Sequence, residues 1–359
     1  MLEPQSTNLV TDSQNYNSSR WNGQNGIVSD GGVGLFYLSP TSNVIKYEVT
    51  QTQYNQMACT LPSAVTIGNT YTQQGYVKCE DAPYIHFQIA PLTGNPIIVW
   101  DNVNNTVISA DPSIDSYNIT SLNDGWVKAE ITFTASVASD YASIKTYFST
   151  SSTVNHTGVP VGTIAYQTFV QVEEQSYATS YIPTDGASAT RNQELCKDAT
   201  PVINSEEGVL YAEISALDDD ATYRKISISD GTTSNIIYIS YKNYTNQIRV
   251  EIVSSSSSVF DVTYPTTDIT TFSKIALKYK QNDFALWING TEVATDTSGN
   301  TPIGLSELAF DNGTGTQLFY GKTKDLKYYP KALQDVQLEA LTSFGSFTEM
   351  ANALNYTII

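Results

Sequence analysis

Histidine and cysteine are scarce in this chain, and their scarcity limits the chemistry that it can perform. Two histidines, His86 and His156, and three cysteines, Cys59, Cys79 and Cys196, occur among 359 residues. Nucleophilic catalysis by a Ser-His-Asp or Cys-His arrangement needs a histidine at the nucleophile. His86 lies in an alternating segment typical of a strand, and His156 lies between polar residues typical of a loop. Neither position indicates a catalytic centre.

The cysteines are odd in number and lack C-x-x-C spacing, so they predict neither a disulfide framework nor a zinc site. Cys59 and Cys79 could pair if adjacent strands brought them together, whereas free thiols indicate folding in a reducing cytosol. The first residues lack the basic and apolar regions of a signal peptide, and no apolar run of about 18 residues occurs. We expect a soluble protein that a signal peptide does not export.

Basic residues are also few. The chain has 18 Lys and Arg against 36 Asp and Glu, a formal charge of −18 and a sequence pI near 4.3. The acidic excess is spread over both halves, with 7 basic and 17 acidic residues before residue 204 and 11 and 19 from there on. Such surfaces repel phosphate backbones and anionic lipids, so we predict no nucleic-acid partner and no membrane insertion.

Short alternating segments make up much of the chain, which is rich in Tyr, Ser, Thr and Val. In residues 126–134, Val127, Ala129, Ile131 and Phe133 share one face while polar residues occupy the other. Many short strands between Gly, Asn, Asp and Pro clusters predict antiparallel sandwiches. The other segments of this kind are 43–50, 84–90, 97–100, 143–148, 163–172, 209–215, 225–229, 236–241, 247–253 and 274–280.

A polar stretch divides these strands into two groups, as expected for a chain too long for one ordinary domain. We predict a first module at residues 1–184, a linker at 185–205, a second module at 206–343 and an apolar tail at 344–359.

Three local patterns stand out in the second module. The dipeptide Asn289-Gly290 predicts a tight hairpin turn, and the serines at 254–258 predict a loop tip. Apolar spacing predicts one short helix over residues 332–341.

Three stretches of the first module resemble motifs of bacteriophage structural proteins that contain a jelly roll of the carbohydrate-binding-module type. They are LEPQSTNLV at residues 2–10, DGWV and ITFT at 124–127 and 131–134, and VQVEE and SYATSYIPT at 170–174 and 176–184. The closing motif is the most specific, and all three occur in the expected order.

The second module is similar to concanavalin A-like, laminin-G-like sandwiches, with ALWING at residues 285–290 as the hairpin and GKTKDLKYYPKAL at 321–333 as the closing strand and helix. The two resemblances imply an all-β chain of two consecutive antiparallel β-sandwiches, a jelly roll and then a concanavalin A-like fold, with one short C-terminal helix. They imply fold more directly than ligand.

Hydrolases of the concanavalin A-like fold carry closely spaced glutamates along one strand. Here the nearest counterparts, Glu173-Glu174 and Glu206-Glu207, are adjacent and would point to opposite faces of a strand. We therefore expect no enzymatic activity and no cofactor. Calcium stays open, because Asp218-Asp219-Asp220 supplies carboxylates without the glycine-containing loop of an EF-hand.

Sandwiches that bind sugars present aromatic rings for stacking, with amide and carboxylate groups beside them. Two short segments offer both, although each aromatic ring could instead fill a core. Trp126 and Trp287 are expected to pack in cores. The candidate carbohydrate-binding residues are Trp100, Asp101, Asn102, Tyr241, Asn243 and Tyr244.

The leading interpretation is a non-enzymatic protein of the bacteriophage virion exterior, made in the host cytoplasm. It would be a tail or head fibre or a capsid decoration that attaches to the host or to a glycan. Its partners would be other virion proteins, a host-surface glycan and further copies of itself. We predict a trimer, because phage fibres are symmetric and the apolar tail needs cover.

Two alternatives remain. One is a purely structural virion adaptor without sugar binding. The other is a secreted polysaccharide hydrolase or lyase with a binding module, against which the missing signal peptide and missing histidine centre weigh.

Overall fold

The computed structural model describes residues 1–53, 55–142, 144–153, 158–196 and 201–346. The chain forms two compact units, one of Gln5–Asn192 and one that joins Met1–Pro4 to Gln193–Ile359. His156, part of the predicted linker and the predicted tail beyond residue 346 lie outside the described residues. In the described part of the chain, no helix has the length and apolar character needed to cross a membrane.

The first unit contains two six-stranded antiparallel sheets and a two-stranded ribbon. Its strands are β1 (Ser6–Asn8), β2 (Trp21–Gln24), β3 (Gly26–Gly32), β4 (Val44–Val49), β5 (Asn55–Cys59), β6 (Thr70–Lys78), β7 (Tyr84–Gln88), β8 (Ile97–Asp101), β9 (Thr106–Ala110), β10 (Ser116–Ser121), β11 (Trp126–Thr134), β12 (Lys145–Ser149), β13 (Ile164–Glu173) and β14 (Ala189–Arg191). The sheet orders are β10-β11-β6-β13-β4-β3 and β2-β5-β12-β7-β8-β9, and β1 pairs with β14. Alternating apolar residues of both sheets form one core between them.

The opening and closing motifs of the first unit bind each other through Asn8, which is fully buried. Its amide nitrogen donates to the carbonyl of Val170 at 3.3 Å and to that of Ile182 at 2.9 Å. Its amide oxygen accepts from the backbone N–H groups of Val10 and Val172, both at 3.1 Å. One side chain therefore satisfies four backbone groups that would otherwise be buried without partners.

Glu173 holds the same closing segment. Its carboxylate accepts from the Thr179 hydroxyl at 2.6 Å, and from the backbone N–H of Thr179 and the Gln171 amide, both at 2.8 Å. Burial raises the pKa of Glu173. Glu174 is exposed and accepts from the Asn69 amide at 2.8 Å. The two adjacent glutamates point apart, as expected. The Glu173 carboxylate has a structural role, because its hydrogen bonds hold the closing segment.

The second unit contains two five-stranded antiparallel sheets and a helix. Its elements are β15 (Glu207–Ala216), β16 (Arg224–Ser229), β17 (Ile236–Tyr241), β18 (Gln247–Ser254), β19 (Ser257–Pro265), β20 (Ser273–Lys280), β21 (Phe284–Ile288), β22 (Thr291–Asp296), β23 (Glu307–Ala309), β24 (Gly321–Tyr329) and α1 (Asp335–Thr342). The sheet orders are β22-β21-β20-β15-β24 and β19-β18-β17-β16-β23, with the main core between them. The predicted fold class, all-β with consecutive antiparallel sandwiches and one short helix, is confirmed.

Two turns of the second unit have residues with positive φ values. Asn289 and Gly290 have φ values of 50° and 82° and link β21 to β22, so the predicted hairpin is confirmed. Ser255 and Ser256 alone form the tip between β18 and β19, with φ values of 47° and 66°.

Helix α1 begins at Asp335, later than the predicted residue 332. The preceding Gln334 has an extended backbone and ends the approach to the helix. Its N–H donates to the Gln337 side chain at 3.0 Å, so a cap sets the start that apolar spacing had placed earlier.

Candidate functional site

The first group of candidate sugar-binding residues lies at the end of β8. Trp100 is 2% exposed and belongs to the core of the first unit. The Asp101 carboxylate accepts from the N–H groups of Val103 at 3.0 Å and Asn104 at 2.9 Å. The Asn102 amide donates to the carbonyl of Cys79 at 2.8 Å. The indole ring presents no face to solvent, and its polar neighbours hold the turn.

The second group divides between core and surface. Tyr241 is 1% exposed and stacks on Phe319 with ring centroids 6.1 Å apart. Asn243 is exposed, and the Tyr244 side chain is 57% exposed in the turn between β17 and β18. Of the three aromatic candidates, the structure gives only Tyr244 an open ring.

Cations and tyrosines collect on the outer face of the sheet β19-β18-β17-β16-β23. Ile239 and Val250 point into the core, so alternation turns their strand neighbours outward. On that outer side, the register places Lys225 of β16 opposite Ser240 of β17, and Ser240 opposite Arg249 of β18. The surface that we call the cationic face is formed by Tyr223, Lys225, Tyr238, Lys242, Tyr244 and Arg249.

Lys225 lies over two aromatic rings of this face. Its Nζ is 3.8 Å from the ring centroid of Tyr238 and 5.9 Å from that of Tyr223. Among the described residues, this ammonium has no ion-pair or hydrogen-bond partner. Burial lowers the pKa of Lys225 to about 8, against an opposing effect of Glu251. Lys225 is thus a half-buried cation that aromatic rings contact.

Arg249 forms ion pairs with both acids of the cationic face, Asp261 and Glu251. It donates to both oxygens of Asp261, each at 2.8 Å, and approaches Glu251 at 3.0 Å. Tyr238 also donates its hydroxyl to Glu251. The hydrogen bonds from Arg249 lower the pKa of Asp261. Both carboxylates therefore have other side chains as hydrogen-bond or ion-pair partners.

Lys242 connects this cluster to the exposed ring. Its Nζ lies 5.2 Å from the Tyr244 ring centroid and donates to the Thr263 hydroxyl at 3.4 Å. With Lys225 and Arg249, the face carries three cations against the two acids Glu251 and Asp261. A local excess of positive charge is notable in a chain of net charge −18.

Sequence reasoning selected Asn243 and Tyr244 but missed Lys225, Tyr238 and Arg249. The alternation of residues 247–253 indicates that Arg249 points outward. Its neighbours on the face come from other strands, so only the pairing register brings them together.

A polar groove of about 410 Å³ is the rival location, in the first unit. The Gln14 and Asn43 side chains form no hydrogen bond with the described residues, so their amide groups are open to a ligand. Asn15 donates to Asp185 at 3.1 Å. The groove is lined by Gln14, Asn15, Tyr16, Asn43, Pro183, Thr184 and Asp185.

His86 is fully buried, and its Nε2 lies 3.0 Å from the carbonyl oxygen of Ser151. Burial lowers the pKa of His86. Across the described ranges, no group of three or more His, Cys, Asp or Glu side chains could hold a metal ion.

No protein-family model and no curated protein matches the sequence. Among solved structures, sheep galectin-11 in complex with glycerol is 8% identical, with a TM-score of 0.25, over 39% of this chain and 99% of its own. Galectin-Ib of Xenopus laevis is 14% identical, with a TM-score of 0.25, over 36% and 99%. Domains LG4-5 of the mouse laminin α1 chain are 9% identical, with a TM-score of 0.27, over 79% and 87%. At these TM-scores the likenesses carry no weight for function.

Proposed function

We propose that this chain is a non-enzymatic glycan-binding protein of the bacteriophage virion exterior, and that it binds sugar on the cationic face of the second unit. The observation that carries the binding proposal is the gathering of Lys225, Lys242 and Arg249 with three tyrosines on one outer sheet face. The virion assignment rests on the three motifs of the first unit that resemble phage structural proteins.

The face offers the two kinds of contact that sugar recognition uses. Tyr244 supplies an open aromatic surface on which the C–H side of a pyranose can stack. Lys225 and Lys242 supply donors for ring hydroxyls and exocyclic oxygens. Because Arg249 is held by Asp261 and Glu251, it keeps a fixed orientation beside them. The proposed site is therefore partly preorganised.

Replacing Tyr244 with alanine should weaken glycan binding by about 1 to 3 kcal/mol, the range for loss of an aromatic contact. A glycan array should first identify a bound sugar, and isothermal titration calorimetry on the full chain should then compare the variants. Thermal unfolding should change little, because Tyr244 is 57% exposed.

Tyr117→Ala is the matched control, since Tyr117 is a 45% exposed tyrosine of the first unit. It should bind as the parent chain does. If Asn43→Ala in the polar groove abolishes binding and Tyr244→Ala does not, the site lies in the groove. If the chain binds no glycan on arrays or on host cells, the structural adaptor replaces the glycan-binding proposal.

The chain should self-associate, and we expect a trimer because phage fibres are symmetric. Light scattering should give the mass of a trimer for the full chain and a smaller mass for a chain that ends at Gly345, which lacks most of the apolar tail. A monomeric full chain, or a truncation of unchanged association state, would contradict this. Electron microscopy of the particle with a bound antibody would test the exterior position.

A further inference from the structure

We infer that the cationic face takes a saccharide bearing an anionic group, a carboxylate, sulfate or phosphate, and that Nζ of Lys225 is the anchor for that group. The inference rests on the proposed function and specifies the chemical class of its ligand. It follows from the unequal partnering of the cations on this face.

Each of the other two cations of the face has a polar partner. Arg249 is paired with both oxygens of Asp261 and with Glu251. Lys242 donates to Thr263. Within the described residues, the Lys225 ammonium has no such polar partner and lies over the rings of Tyr238 and Tyr223. A half-buried cation has lost part of its hydration, and here no carboxylate of the described residues pairs with it directly in return.

The groups around Lys225 explain why no side chain of the sheet supplies that anion. The charge of Glu251 favours the protonated form of Lys225, but Glu251 already accepts from Tyr238 and pairs with Arg249. Asp261, on β19, is bound at both oxygens by Arg249. An external anion over Lys225 would meet a cation that has no direct ion-pair partner among the described residues, and the tyrosine rings beside it would contact the sugar.

This arrangement makes binding depend on protonation. Burial, helped by the charge of Arg249 and opposed by that of Glu251, lowers the pKa of Lys225 to about 8, so about half of the free protein carries a protonated Lys225 near pH 8. A bound anion favours the charged form and raises that pKa. Binding should therefore take up about half a proton at pH 8, and affinity should fall about tenfold between pH 7 and pH 9.

The test uses the full chain and an array on which each acidic glycan is printed beside its neutral counterpart, with the carboxylate reduced or the sulfate or phosphate removed. Acidic members should bind at least about tenfold more tightly. Titration calorimetry of a carboxylated or sulfated hit, in buffers of different ionisation enthalpy, measures the proton uptake. Carboxylates and sulfates do not titrate between pH 7 and pH 9, so any proton uptake comes from the protein. On the array, a comparison of the carboxylated, sulfated and phosphorylated glycans shows which anion is preferred.

Three variants assign the effect to Lys225. Lys225→Met should lose the acidic preference and the proton uptake, while Lys225→Arg should keep the preference and lose the uptake, since arginine stays charged. Lys322→Gln removes a comparable charge from an exposed position on β24, in the other sheet, and should change neither.

Equal binding of acidic and neutral members would overturn this inference and leave the proposed function standing. An acidic preference that Lys225→Met retains would also overturn it. Absence of any glycan binding would remove the proposed function together with it.

Discussion

A chain in which Trp100 is replaced by alanine should lose about 3 to 5 kcal/mol of unfolding free energy. The ring is 2% exposed and packs in the same core as Ile85 and Ile98, so its removal leaves a cavity that the two sheets cannot close. Denaturant unfolding followed by tryptophan fluorescence and circular dichroism would measure the loss. A substitution that weakened glycan binding at unchanged stability would instead make Trp100 a ligand contact.

Two controls make the Trp100 result interpretable. Trp100→Phe should be milder than the alanine variant, because it keeps an aromatic ring, and no described residue bonds the indole nitrogen. Val103→Ala, in the turn that follows, removes apolar atoms from a side chain that is 71% exposed. It should change stability by less than about 0.5 kcal/mol.

Asn8→Ala should lower the unfolding free energy by at least about 3 kcal/mol. The substitution removes four hydrogen bonds and leaves two backbone N–H groups and two carbonyls buried without partners. Because the Asn8 side chain joins the opening and closing motifs, its removal should also increase amide hydrogen exchange around Val172 and Ile182.

Asn17→Ala is the control for a change of the same size at an exposed asparagine, and it should be close to neutral. Asn8→Asp keeps the shape of the side chain but loses the amide donor and buries a carboxylate, so it should destabilise the chain as well. A stable Asn8→Ala variant with unchanged exchange would show that the contacts between the two motifs contribute little to folding.

The amino-acid sequence by itself determined the fold class and much of the strand pattern. The alternation of apolar and polar residues is a property of each strand alone. It predicted β11 and β17 with the bounds that the structure has. The hairpin at Asn289 and Gly290 is equally local, because a type I′ turn needs two residues that tolerate positive φ.

Polar core positions hid one central strand from the pattern. The segment of β6 reads TYTQQGYVK, and Gln73, Gln74 and Gly75 interrupt the apolar alternation, although β6 pairs with both β11 and β13. Gly75 lies where a Cβ would be 3.0 Å from Ile144. Only this tertiary contact explains Gly75.

The tertiary structure alone decided which aromatic rings are open and which cations are neighbours. Trp100 and Tyr241 end alternating segments just as surface residues could, and the facing sheet is what buries them. Lys225 and Arg249 are 24 positions apart in sequence and share a face because β17 lies between their strands in register. Burial and register depend on contacts distant in sequence, so local periodicity predicts the strands but not the site that they assemble.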